Sequence, residues 1–458
     1  MELQWAVMSL KIDVAAVRAA VEKQREQIQQ DLTELVSFNS VSNELACESE
    51  HAAAAQWVVT ALEKLGLDVE KHETSDSAPT IIGNRPGKQT VLLYSHYDVV
   101  PAGDPNTWDS DPFTLTERNG RWYGRGTADC KGNLVMHLAA LRAIAELGGT
   151  ELGIRVVIEG SEERGGEGLE ELIATRPELF AADIIFIADT GNVTLGVPTL
   201  TTTLRGGAQI DVRIDTLQAP VHSGGFGGAA PDATAALIRL LDTLKDEYGR
   251  TRIDGVDCTS VWEGEEYPVA NFRADAGILE GVEIMGTDAD HPADMVWARP
   301  AISITGFTST PVAEAVNAVP ATATARLNLR VPPGMNTADL VEALIAHLQK
   351  HVPWGAHIEC TPFEMFDPFT ARIDGPAVQA LSEALSAAYN GKPTVTVGTG
   401  GSIPLCTTLT NAFPNAELAL FGVEEPLTTI HSPNESVSPD EIIDIAVAEA
   451  IFLLNHGK

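Results

Sequence analysis

Three apolar runs, each ending in an acid or an imidazole, constrain this chain more than any other feature. Val91–Tyr94 in TVLLYSHYDVV runs into His96 and Asp98. The run in GIRVVIEGSEE leads to Glu162 and Glu163, and IIFIA in ADIIFIADTGN leads to Asp189. Short continuous apolar runs bounded by polar residues read as buried strands. Between them, GNLVMHLAALRAIAELG and GLEELIATRPELF read as helices, the first closed by glycine. Alternating strand and helix predict an α/β sheet with parallel character. In such open sheets, sites collect at the carboxyl ends of the strands, where these polar residues stand.

The surrounding sequence frames that sheet. Val14 to Val36 carries an apolar stripe (Val17, Val21, Ile28, Leu32, Leu35) and predicts one amphipathic helix, with a second from His51 to Leu65. From about Leu204 the pattern changes. AQIDVRIDT and TATARLNLRVP alternate apolar and polar residues, as strands with one wet face do. NTADLVEALIAHLQKHV then reads as a helix and AHIECTPFE as a further strand, so a small α+β unit is expected to end near Met365. Residues Tyr248 to Pro300, rich in glycine and acids, are expected to be irregular within it. After Asp367 the alternation returns with GPAVQALSEALSAAYN and AELALFGV. A chain of 458 residues is long for one core. The expected organisation is an α/β domain (1–203 and 367–458) interrupted by an inserted α+β lid (204–366).

Composition removes several classes of function. With 64 acidic against 30 basic residues, the net charge of -34 repels phosphate backbones and anionic membranes, so neither nucleic acid nor membrane is expected as a partner. No apolar run approaches the roughly 20 residues a membrane span needs. The opening MELQWAVMSLKIDVAAVRAAVEKQREQ lacks a basic stretch followed by an apolar core, which leads to the expectation of a cytoplasmic protein. Five cysteines, Cys47, Cys130, Cys258, Cys360 and Cys406, lack CxxC spacing and suggest neither a disulfide framework nor a thiolate zinc site.

The strand-end residues carry the chemistry. In SHYDVVP, a His96 that binds a metal could have its other ring nitrogen held by Asp98, which would fix the tautomer. GRGTADCKG places Asp129 in a glycine turn before a helix, where a carboxylate can bridge two cations or simply cap the helix. Adjacent side chains on extended backbone point to opposite sides. One of Glu162 and Glu163 can therefore ligate a metal while the other faces the polarised water; alone, the pair is equally two surface acids opening a helix. His431 lies in the polar turn TTIHSPNES. Together, two histidines and three acids match the ligands suited to a pair of zinc, cobalt or manganese ions. VHSGGFGGAAPDA, NAVPATATARLNLRVPPG and GTGGSIP supply exposed amides, an arginine and a serine, groups that grip carboxylates but that also make ordinary turns.

Taken in order, SHYDVVP, GRGTADCKG, EGSEERGGEG, IADTGN, HSGGFGG, NAVP, RLNLRVPPG, GGSIP and HSPNE resemble the cocatalytic di-zinc exopeptidase family of carnosinase-like dipeptidases, glutamate carboxypeptidase, aminoacylase and acetylornithine deacetylase. The similarity runs from about Leu32 to the end and is greatest to the carnosinase-like metallodipeptidase branch. It implies an α/β catalytic domain with a lid that closes and dimerises, and two divalent ions per subunit, zinc first, manganese or cobalt otherwise. By the same resemblance, Asp129 bridges the ions, His96 and Asp189 complete one site, and Glu163 and His431 complete the other. Asp98 orients His96, and Glu162 is the general base for attack by metal-bound hydroxide. His222 and Asn317 would approach the partner subunit's site in a homodimer, His222 as an oxyanion donor. Arg330, Gly401 and Ser402 would hold the substrate's free carboxylate. The implied activity is that of a dipeptidase or carboxypeptidase-like exopeptidase. Its rivals are an N-acyl amino acid deacylase and a catalytically silent binding protein on the same scaffold. Two departures stand out. Cys130 follows the bridging Asp129 where relatives commonly carry Asp or Asn, at a peptide that is typically cis. Phe369 stands in MFDPFTARIDG where carnosinase-like relatives often carry His, which leaves carnosinase's own substrate a poor guide.

Overall fold

Buried parallel strands need both faces covered, and the computed structural model, which describes residues 12–456, shows this around the three apolar runs. The first eleven residues, on which much of the reading of the opening segment rests, lie outside the described part. Thr90–His96 lies between the parallel strands Gly153–Glu159 and Ile184–Ala188, and Glu417–Phe421 continues the parallel set beside Ile184–Ala188. Thr80–Arg85 and Asp68–His72 add antiparallel strands beyond Gly153–Glu159. The side chains of Ile184–Ala188 are all buried.

Helices close both faces. Lys131–Glu146 and Pro439–His456 are buried on nearly every side, as apolar helices inside an α/β layer are. Phe186 meets Phe421 and Phe452 edge-on, at ring-centroid distances of 5.3 and 4.8 Å, which ties Pro439–His456 to the sheet. The expected single opening helix is two, Val14–Glu22 and Arg25–Val36. No Gly or Pro marks the break. The Gln24 side-chain amide instead donates to Ala20 O (2.9 Å) and to Ala139 O (3.3 Å) of the central helix, a tertiary anchor invisible to periodicity.

The chain divides into two compact units. One comprises the described residues up to Thr202, Ala371–Val397 and those from Pro404 onward; the other comprises Thr203–Thr370 and Gly398–Ile403. The second unit is built on an antiparallel sheet ordered Ala301–Thr308, Thr322–Val331, Gly206–Asp215, His357–Phe366. Alternate residues of Thr322–Val331 are buried, and Leu327 and Leu329 share a core with Ile210, Val212, Leu237 and Leu344 from the strands and the covering helices. The stretch from Tyr248 to Pro300 holds a short helix, Val269–Asp275, and a π turn, but is mostly turns. Polar bonds pin it: Arg299 pairs with Asp290, and Asp294 accepts the Trp262 N–H at 2.8 Å. Phe369 is buried and pairs with Leu204 in this unit, so it packs as a core residue. Among the described residues, no helix is long and apolar enough to cross a membrane.

Candidate metal centre

Asp129 sits at the focus of the first unit's polar residues, and its two carboxylate oxygens face different groups. Oδ1 lies 3.0 Å from His96 Nε2, which is itself 3.2 Å from Asp189 Oδ1. Oδ2 lies 3.0 Å from His431 Nε2, which is 3.1 Å from Glu163 Oε2. The five expected ligands therefore form two groups that share Asp129. Glu162 stands apart, its Oε2 3.9 Å from His96 Nε2.

Backbone architecture explains the convergence. His96 ends the central strand opposite Glu159 of its parallel neighbour, and Asp189 follows Ile184–Ala188 directly. Asp98 does more than face the imidazole. Its carboxylate lies 3.3 Å from His96 Nδ1, and its Oδ1 and Oδ2 accept the Glu162 and Glu163 N–H groups, each at 3.1 Å. The same ring nitrogen lies 3.1 Å from the Asp98 carbonyl oxygen. One acid thus ties the imidazole to the turn that carries both glutamates, a 3-10 helix over Glu162–Arg164 and not the extended backbone expected from the sequence. It is therefore the turn that sends Glu163 toward His431 and leaves Glu162 near His96. The Asp129–Cys130 peptide is cis, as the resemblance implies, and the Cys130 thiol donates to Ala188 O at 3.0 Å.

Two acids close to these ligands escape sequence reasoning. Glu435 Oε2 accepts from Arg125 Nη1 (2.7 Å) and Gly126 N (2.9 Å), while its Oε1 accepts from Ala128 N (3.0 Å) and Asp129 N (3.2 Å). It holds the loop that carries Asp129. The only signal was its place at the end of HSPNE. Glu424 is the second. A Cβ on Gly191 would lie 2.0 Å from Glu424 O, so glycine permits the close approach that brings a Glu424 carboxylate oxygen within 4.8 Å of oxygens of Asp129 and Asp189.

The donor set fits divalent cations. Glu163 Oε1 is buried with no hydrogen-bond partner. Burial, then the charge of Asp129, raises the Glu163 carboxyl to about 7. Burial and Asp189 push Glu162 well above the usual carboxylate range. Hydrogen bonds to Asp129 and Glu163 raise His431 to about 11. Carboxylates crowded out of water and imidazoles held as cations are what a ligand set shows before metal supplies its positive charge.

The remaining expected site residues lie in the second unit. His222 is exposed, and its Nδ1 accepts the Gly224 N–H at 3.1 Å at the start of a glycine turn. Asn317 is exposed beside it, its carbonyl accepting the Ser223 N–H at 2.9 Å. Arg330 Nη1 lies 3.4 Å from Ser402 Oγ, and Gly401 is exposed next to that serine.

An α/β sheet whose strand ends gather carboxylates and imidazoles around a shared aspartate defines a metal-dependent hydrolase. Comparison with known proteins makes this specific. Residues 92–454 match the model of peptidase family M20/M25/M40, and the chain belongs to that family and is a metallopeptidase. It is 54% identical over 438 residues to the cysteinylglycine-S-conjugate dipeptidase of Corynebacterium striatum, covering 95% of this chain and 96% of that protein. It is 29% identical over 367 residues to a Cys-Gly metallodipeptidase of Schizosaccharomyces pombe, covering 74% and 76%. The fold resembles that of human carnosine dipeptidase 1 with a TM-score of 0.81 at 23% identity, over 97% of this chain and 98% of that one.

Proposed function

We propose that this protein is a metal-dependent dipeptidase that hydrolyses the peptide bond of dipeptides or short peptides bearing a free C-terminal carboxylate, with dipeptides ending in glycine as the first class to test. The observation that carries the reading is the division of Asp129's two oxygens between two ligand groups, beside a glutamate that belongs to neither. His96, Asp129 and Asp189 would hold one divalent ion, and Asp129, Glu163 and His431 the other, with zinc first and manganese or cobalt as alternatives. Ions held there would supply Lewis acidity and would lower the pKa of a water toward neutrality. Glu162 takes the proton from the attacking water at its carboxylate and passes it to the leaving amine nitrogen. Asp98 keeps the imidazole and the glutamate turn in place. Arg330, Gly401 and Ser402 grip the carboxylate, and in a homodimer joined through the lid His222 and Asn317 serve the neighbouring site. Five free thiols suit a reducing compartment and support a cytoplasmic location.

The named dipeptidases among the relatives favour this over the N-acyl amino acid deacylase. Parallel assays on Ala-Gly, cysteinylglycine and N-acetyl amino acids decide it: turnover of the acetylated panel alone would overturn the dipeptidase reading. Light scattering is expected to show a dimer, and a monomer at assay concentration would remove His222 from catalysis.

A further inference from the structure

Arg205 is a buried cation without a partner. It is 9% exposed, its Nε and Nη1 are buried with no hydrogen-bond acceptor, and no acid pairs with it among the described residues. Leaving a buried charge unpaired is costly, and an anion that reached it would offset that cost.

The surroundings show what that is. Arg330 comes from the neighbouring strand, opposite Gly207, so both arginines stand at one end of the second unit's sheet. Ser402 joins them: its hydroxyl donates to the Arg205 carbonyl oxygen and lies 3.4 Å from Arg330 Nη1. A Cβ on Gly400 would stand 2.9 Å from Arg205 Nη2, so the glycine turn presses its bare backbone against the guanidinium. Burial and the neighbouring charge of Arg330 lower Arg205 to about 10. The two guanidiniums repel one another, and among the described residues no carboxylate pairs with either.

We propose that Arg205 is a second guanidinium of the substrate-carboxylate site, so that the C-terminal carboxylate is clamped by Arg205 and Arg330 together rather than by Arg330 alone. This rests on the dipeptidase reading and names the group that makes the free carboxylate obligatory. Planar guanidinium meets planar carboxylate in paired bonds, and the second arginine neutralises the charge that one would leave half-balanced. A peptide amide, or an internal bond of a longer chain, offers no anion and leaves both cations unpaired.

The test uses metal-loaded full-length protein with Ala-Gly and Ala-Gly amide as paired substrates. Arg205→Met is expected to lower kcat/KM for Ala-Gly by about 10- to 100-fold, chiefly through KM, the size expected for losing a charged hydrogen bond. Turnover of the amide, which offers Arg205 no anion, is expected to fall by a smaller factor than turnover of Ala-Gly. Arg205→Lys should restore part of the loss. Equal losses on both substrates, or none on Ala-Gly, would overturn the proposal. If Arg205→Met does not fold, Arg205→Lys decides it, with a raised KM for Ala-Gly alone expected and an unchanged KM contradicting. Calorimetric binding of glycine against glycinamide separates this idea from the dipeptidase reading. Should the wild type hydrolyse neither substrate, glycine binding that Arg205→Met abolishes would keep the anion site while the activity fell; glycine binding unchanged in the variant would end the proposal.

Discussion

Replacing Glu435 by Gln tests whether the metal centre is held by its loop. Four donors converge on this buried carboxylate: Arg125 Nη1 and Gly126 N on Oε2, and Ala128 N and Asp129 N on Oε1. A glutamine offers one oxygen and one NH2. Whichever way it turns, two of the four donors face another donor. Each buried donor left without an acceptor costs about 1–3 kcal/mol, so Glu435→Gln should lose about 2–6 kcal/mol of unfolding free energy. The strained donors include either the Asp129 amide or the Gly126 amide that shapes its loop, so Asp129, the proposed bridging ligand, should shift. Changes behind a ligand of this kind commonly weaken metal binding by about 10- to 100-fold. Urea unfolding of the metal-free protein gives the first quantity, and competition titration with a zinc chelator gives the second. A variant within about 0.5 kcal/mol of wild type, the spread of an innocuous surface change, and with unaltered zinc affinity would refute the reasoning.

Gly191→Ala places a methyl where the Glu424 carbonyl stands, 2.0 Å away, and should cost about 1–3 kcal/mol by forcing backbone apart, with weaker metal binding because Asp189 is two residues off. A thermal melt equal to wild type would contradict it. In the second unit, hydrogen bonds from Arg299 and Thr287 hold the Asp290 carboxyl well below the usual carboxylate range. A carboxyl depressed by folding stabilises above its unfolded pKa and loses that contribution as pH falls through the folded one. The stability gap between wild type and Asp290→Asn should therefore be full at neutral pH and shrink from about pH 4 downward; a gap constant across acid titration would show that the pair does not act through its charge.

What could be read from the residues followed burial. His96 and Asp189 are legible because one ends and the other directly follows an apolar run that forms an interior strand, and strand ends in such sheets face a common crevice; Glu162 and Glu163 stand in a turn beyond the end of Gly153–Glu159. The alternation in Thr322–Val331 was equally plain, because one wet face leaves a period of two. What stayed hidden depends on partners distant in sequence. Nothing near Lys23 announces a helix break, because Gln24 finds its acceptor on Ala139. Glu435 looks like any acid in a polar turn until four donors from Arg125 to Asp129 close on it. Arg205 follows a strand as many arginines do, and its meaning lies in acceptors it lacks. The region between Tyr248 and Pro300 resisted because ionic contacts such as Asp290 with Arg299 shape it, and these carry no period.

The division of labour between Glu162 and Glu163 is the central claim, and one comparison tests it most directly: dipeptide hydrolysis by wild type and Glu162→Ala, each loaded with zinc or manganese, with bound metal quantified. General acid–base catalysis is worth about 100- to 10,000-fold, so the variant should lose at least that much turnover while retaining two ions per chain. If instead metal is lost along with activity, Glu162 is a ligand, and the assignment of base and ligand to this pair is wrong.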